Sequence, residues 1–173
     1  PYNGTKISLY DGTTWATYVF TERSLALGTL TSGANYDVFM YNNSGTLTLE
    51  ALAWSTNTAR STALALQDGV YVKSGATTRR YLGTFRTTST TTTEDSMQNR
   101  FVWNLNNPVE RLLHRNTYPT YAYTGHTYST GAWRNWNNDA TMGVFFVNGL
   151  DRNVTINFGC ASSTASTSQG AAF

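Results

Sequence analysis

Two alternating runs around a tight polar break constrain this chain more than any other feature. Tyr36-Asp37-Val38-Phe39-Met40-Tyr41 and residues 46–54 flank the sequence Asn42-Asn43-Ser44-Gly45. Asn and Gly tolerate the positive φ that a sharp reversal demands, so the stretch predicts an antiparallel hairpin. In its second run Leu47, Leu49, Ala51 and Ala53 share one face, and Thr48, Glu50, Leu52 and Trp54 share the other. Leu52 and Trp54 make the end of that second face apolar, which predicts that something covers it.

The same pattern recurs along the chain. Residues 6–10 alternate as a half-buried strand, Asp11-Gly12 punctuates them, and residues 15–20 and 25–30 resume extended patterns. Residues 70–73 and 78–86 predict a second hairpin around Ser74-Gly75-Ala76. Further strands are predicted at 100–103, 109–114, 128–136, 142–147 and 154–158. Residues 60–67, closed by Asp68-Gly69, read as a helix of about two turns. Glu94-Asp95 reads as the start of a short helical turn toward Met97 and Gln98, and the threonine run 87–93 as a solvated connector or extended edge. Roughly ten or eleven short strands with turn signals roughly every 8–15 residues, and no long crossover helices, predict an all-β fold. The expected form is an antiparallel β-sandwich or jelly-roll-like domain with one or two short helical turns. It would occupy residues 1–160, followed by a low-complexity tail at 161–173.

Composition agrees with that reading. The chain holds 30 threonines, 11 Tyr, 8 Phe and 5 Trp. β-Branched and aromatic side chains pack well on a pleated sheet, and Thr loses rotamer freedom in a helix. Charged residues make up only 13%, about half the usual share. A surface poor in long charged side chains loses less entropy when it is ordered at a contact. The net charge of +2, with Lys6 and Lys73 as the two lysines, provides no polybasic stripe for nucleic acid. Arg79-Arg80 reads as a strand end or an ion-pair partner.

The residues for metal, disulfide or catalytic chemistry are sparse. Cys160 is alone, so it forms no internal disulfide and reads as a small buried apolar group. His114 and His126 do not complete a zinc set with it, and no alternating Asp/Asn calcium loop occurs. No cofactor is expected. No apolar run approaches the roughly 20 residues of a membrane-spanning helix, so membrane insertion is not expected. A glycosidase needs two carboxylates about 5 to 10 Å apart. Asp11, Asp68, Glu94, Asp95 and Asp151 sit in turn-like contexts, and Glu50 and Glu110 lie on predicted strands. No nucleophile elbow is present. The chain is expected not to be an enzyme.

The densest aromatic and amide stretch runs from Tyr118 to Asp139. Within it Tyr128, Trp133, Trp136, Asn137 and Asp139 are the candidate glycan or interface contacts. Flat rings stack on the apolar C–H faces of sugars while amides and carboxylates take the hydroxyls. The same residue types also pack cores and subunit interfaces.

Three stretches are more specific than composition. They are Leu9-Tyr10-Asp11-Gly12-Thr13-Thr14-Trp15, residues 66–73 leading into 79–88, and Glu94-Asp95-Ser96 continuing to Arg100-Phe101-Val102-Trp103-Asn104. They resemble segments of a bacteriophage virion structural module of the tail-fibre or head-decoration type. The resemblance spans roughly residues 6 to 115. It implies a structural and adhesive protein at the virion surface, a homotrimer of β-sandwich modules without a catalytic residue. The implied partners are its own copies, other capsid or tail proteins, and a host surface glycan. Residues 116–149 match no part of that module, and host-specific variation would fall there. The competing expectation is a carbohydrate-binding module of a secreted or surface bacterial protein.

Overall fold

A computed structural model of the chain describes residues 4–107, 109–114, 131–132 and 143–150. Strand β7 (Ala76–Arg86) is the longest and organises the main sheet. On one side it pairs antiparallel with β3 (Asn35–Asn43), which in turn pairs with β4 (Thr46–Ala53). Its other side is shared. The first part pairs with β6 (Val70–Lys73), followed outward by β5 (Leu64–Gln67), and the last part pairs with β9 (Val102–Asn104). These six strands form one sheet. A separate antiparallel hairpin, β1 (Lys6–Tyr10) and β2 (Trp15–Val19), packs over it. The short β8 (Asn99–Arg100) and β10 (Phe145–Phe146) form a parallel pair, an exception to the antiparallel expectation. The class is all-β, with a sandwich-like arrangement of hairpin over sheet, and no helix occurs among the described residues.

The two faces of the main sheet follow from the alternation. Met40 and Leu47 pack with Ile7 and Leu9 of β1, flanked by Tyr18, Phe20, Leu49 and Leu82. On the opposite face Phe39, Tyr81 and Leu150 form a second core, flanked by Leu52, Leu64, Tyr71, Trp103 and Leu105. The apolar end of the β4 outer face is therefore covered, as its pattern predicts. The cover comes from the chain itself: Leu52 packs against the Phe39, Tyr81 and Leu150 cluster, and the Arg60 guanidinium lies 4.4 Å from the Trp54 ring centroid. Leu82 is the extra residue of a β-bulge opposite Val38 and Phe39. The neighbouring Gly83 leaves room for the Trp103 carbonyl, where an added Cβ would collide.

Several sequence expectations need correction. Residues 60–67 are not a helix. Leu64–Gln67 is β5, and Asp68-Gly69 joins it to β6 as a two-residue turn with φ of 52° and 81°. Both central residues at positive φ define the I′ turn that suits a twisted hairpin. Leu64, Ala65 and Leu66 are strong helix formers, and pairing overrode their local preference. No helical turn begins at Glu94-Asp95. Instead Ser96 Oγ and Asn99 Nδ2 both donate to the Glu94 carboxylate, closing a polar turn into β8. Residues 25–30 are not a strand, and the Leu30 N–H goes to the Thr90 carbonyl. Residues 109–114 are also not a strand, because the Leu112 carbonyl is taken by the Arg100 guanidinium rather than by a ladder. The threonine run folds back as a connector tied by its own hydroxyls, Thr88 to Thr92 and Ser89 to Thr92. Of the predicted strand at 128–136 only Gly131 and Ala132 are described, and they are exposed and not in a strand. The rest of it, the predicted strand at 154–158 and the tail at 161–173 lie outside the described residues.

Candidate functional site

The sequence-predicted contacts Tyr128, Trp133, Trp136, Asn137 and Asp139 lie outside the described residues, as do His126 and Cys160. Among the described residues, the chemistry-bearing side chains gather on the Phe39–Tyr81 face of the main sheet. Alternation along β3 puts Asp37 on the same face as Phe39, and it is only 1% exposed. A buried carboxylate must be paired and hydrogen-bonded. Arg60 Nε donates to Asp37 Oδ2 at 2.7 Å, and Thr84 Oγ1 donates to Asp37 Oδ1 at 2.7 Å. The Tyr81 hydroxyl donates to the Gly149 carbonyl at 3.0 Å and lies 2.5 Å from Thr84 Oγ1. Arg60 Nη2 donates to the same Gly149 carbonyl. Burial pushes the Tyr81 phenol well above its ordinary range, so it stays a neutral donor. This centre fastens residues 147–150 across the sheet.

Nothing in composition announced that centre. One signal was legible, an acid on the buried face of a hairpin strand, which requires a cation from elsewhere in the chain. Reading residues 60–67 as helix hid Arg60 as that cation.

A second charged group lies further along this face. Glu50 accepts from Lys73 Nζ at 2.7 Å and from Arg79 Nε at 2.5 Å. Arg79 also sits 4.4 Å from the Tyr41 ring centroid. Burial alone would raise the Glu50 carboxyl, but the hydrogen bonds and charges of Lys73 and Arg79 outweigh it and hold the group below its ordinary value. Glu50 is thus a structural anion. Glu110, the other acid expected on a strand, stands in an irregular segment. Of the adjacent arginines, Arg79 is an ion-pair partner, and Arg80 turns inward to donate to the Ser8 carbonyl at 2.8 Å.

Two concave regions stand out among the described residues. An open, mostly apolar groove of about 720 Å³ lies between the β1–β2 hairpin and the β7–β9 edge, lined by Ile7, Phe20, Met40, Leu82 and Val102. A smaller cleft of about 290 Å³ lies where residues 145–148 cross the Asn35 end of the sheet. Asn35, Trp54 and Arg86 come from three adjacent strand ends, and Asn57 from the loop after β4. Arg86 Nη1 donates to Asn35 Oδ1 at 3.2 Å and to Asn57 Oδ1 at 2.8 Å. Asn35 Nδ2 donates to the Asn57 carbonyl at 2.9 Å. Phe101, Phe145 and Phe146 supply aromatic walls.

No group of three or more His, Cys, Asp or Glu side chains is placed to hold a metal ion among the described residues. No helix among them is long and apolar enough to cross a membrane. No family model matches the chain, and no curated protein or solved structure is significantly similar to it.

Proposed function

We propose that the chain is a structural and adhesive component of a bacteriophage particle surface, of the tail-fibre or head-decoration kind, assembled as a homotrimer. One observation carries the reading. The three stretches that resemble virion modules belong to one continuous frame rather than to separate parts of the molecule. The first, at β1–β2, is tied to the second by the Trp15 indole, which donates to Asp68 at 3.0 Å. The third supplies β9, which pairs with β7 of the second through Gly83, Thr84 and Phe85.

The surface chemistry supports the same role. Ion pairs are few among the described residues, and exposed apolar side chains such as Met97 and Leu112 sit on segments joined by the His114 N–H bond to the Met97 carbonyl and by Arg100 to the Leu112 carbonyl. Exposed apolar groups brought together in this way suit a contact with a neighbouring subunit. The apolar end of the β4 face does not supply that contact, because Leu52 packs into the chain's own core and Arg60 lies over Trp54.

Particles purified from a culture carrying the coding sequence test the proposal by mass spectrometry. The chain should be recovered from them in a fixed ratio to the major capsid protein. Recovery from the culture medium, with none in the particles, overturns the proposal in favour of a secreted carbohydrate-binding module. Light scattering of the purified chain tests the trimer, and a single monomeric species contradicts it.

A further inference from the structure

We propose that the 290 Å³ cleft at the Asn35 end of the main sheet binds one carboxylate-bearing sugar ring, a ligand of the uronic acid class. The inference rests on the adhesive reading and names what the surface would adhere to. Ligand pockets usually fall between about 300 and 1,000 Å³, so a cleft of this size suits one ring rather than an extended oligosaccharide.

Each part of the ring has a matching group. Arg86 is held by two neutral amide oxygens, of Asn35 and Asn57, and no carboxylate pairs with it among the described residues. Its charge is therefore fixed in direction but not neutralised. A planar guanidinium held in this way recognises a carboxylate by parallel charge-assisted hydrogen bonds. Asn57 uses its side-chain oxygen on Arg86, and its Nδ2 donates to nothing else among the described residues, which leaves it for a ring hydroxyl. Trp54 lines the cleft, and its buried Nε1 has no acceptor among the described residues, so it can report on a ligand seated there. Phe145 and Phe146, both exposed, line the cleft, and an aromatic ring there offers a flat face for the C–H side of the sugar.

The test uses the full chain, labelled with ¹⁵N and titrated with sodium D-glucuronate, D-glucose and sodium acetate at matched ionic strength. Glucuronate should give saturable shifts at the Trp54 indole and the Asn57 side-chain amide. Glucose and acetate should each bind at least about tenfold more weakly. Asn57→Asp places a carboxylate against Arg86 with the side-chain shape unchanged, at an exposed position where the fold is expected to persist. It should weaken glucuronate binding by about tenfold or more and weaken glucose much less, since glucose loses only the Asn57 donor and meets no repulsion. No shifts at Trp54 and Asn57, an equal response to acetate, or an unchanged affinity in Asn57→Asp overturns the proposal. A uronate trisaccharide that binds more tightly than the monosaccharide assigns the cleft to an envelope polysaccharide, and equal affinity assigns it to the free sugar acid. Failure here with the chain present in purified particles removes the sugar acid and leaves the virion reading standing. Binding by a chain absent from particles does the reverse.

Discussion

Trp15 donates its indole N–H to the carboxylate of Asp68 at 3.0 Å, joining two turns that stand 53 residues apart in the chain. The Asp68 turn is the tip of the β5–β6 hairpin, and Trp15 opens β2 directly after the Asp11-Gly12 turn. The bond therefore couples the small hairpin layer to the edge of the main sheet. Trp15 also packs against Tyr10, with ring centroids 5.5 Å apart.

This coupling should respond to acid. Hydrogen bonds from Trp15 and Gln67 hold the Asp68 carboxyl below its ordinary value. A carboxyl lowered in the folded state contributes stability that is complete above its unfolded value and lost as pH falls through the folded one. The Trp15 indole N–H resonance should stay fixed at neutral pH and move only below the ordinary aspartate range. In Asp68→Asn that acid-side movement should disappear. An indole resonance that shifts near neutrality, or titrates alike in both proteins, contradicts the coupling.

The buried Asp37–Arg60 pair should matter far more than the partly exposed Glu50 cluster. Asp37→Ala leaves Arg60 without its carboxylate and should cost about 3–5 kcal/mol in denaturant unfolding. Glu50 is one-quarter exposed, and Glu50→Gln should cost at most about 1 kcal/mol. Equal losses in the two variants contradict the assignment of Asp37 as the anchor.

Residues 147–150 should be released by small changes at the polar centre. Tyr81→Phe deletes the donor to the Gly149 carbonyl and should cost about 1–3 kcal/mol. At Gly149 an added Cβ would fall against the Tyr81 hydroxyl, Trp103 and Thr84. Gly149→Ala should therefore lift the segment and speed amide exchange at Val147 and Leu150, while exchange in β3 stays slow. Unchanged exchange at Leu150 contradicts the fastening role.

The β7–β9 junction depends on one missing side chain. Gly83→Ala would push a Cβ into the Trp103 backbone. It should break pairing at Thr84–Trp103 and lower the thermal midpoint, whereas Gly75→Ala, whose Cβ would meet nothing, should act only through its positive φ. Retention of the β9 cross-strand contacts in Gly83→Ala contradicts this geometry.

Local pattern made the hairpins legible. The alternation on both sides of Ser44-Gly45 specified β3, β4 and their faces, and covering of Leu52 and Trp54 could be read from their position alone. Residues 64–67 misled because three strong helix formers in a row conceal a strand. The Asp-Gly dipeptide after them was the better guide, since it matches a two-residue hairpin turn. The polar centre was mostly invisible, because Asp37, Arg60, Tyr81 and Gly149 are distant in sequence and meet only through sheet pairing and the return of residues 147–150. The cleft was hidden for the same reason. Its walls come from five separated segments, whereas the sequence drew attention to the aromatic stretch ending at Asp139.

The most direct measurement is the position of the chain on the particle. Gold-labelled antibody against the purified chain, imaged on negatively stained particles, should decorate the outer surface of the head or the tail at repeated positions. Unlabelled particles, with gold instead on secreted material or the bacterial envelope, would contradict the account.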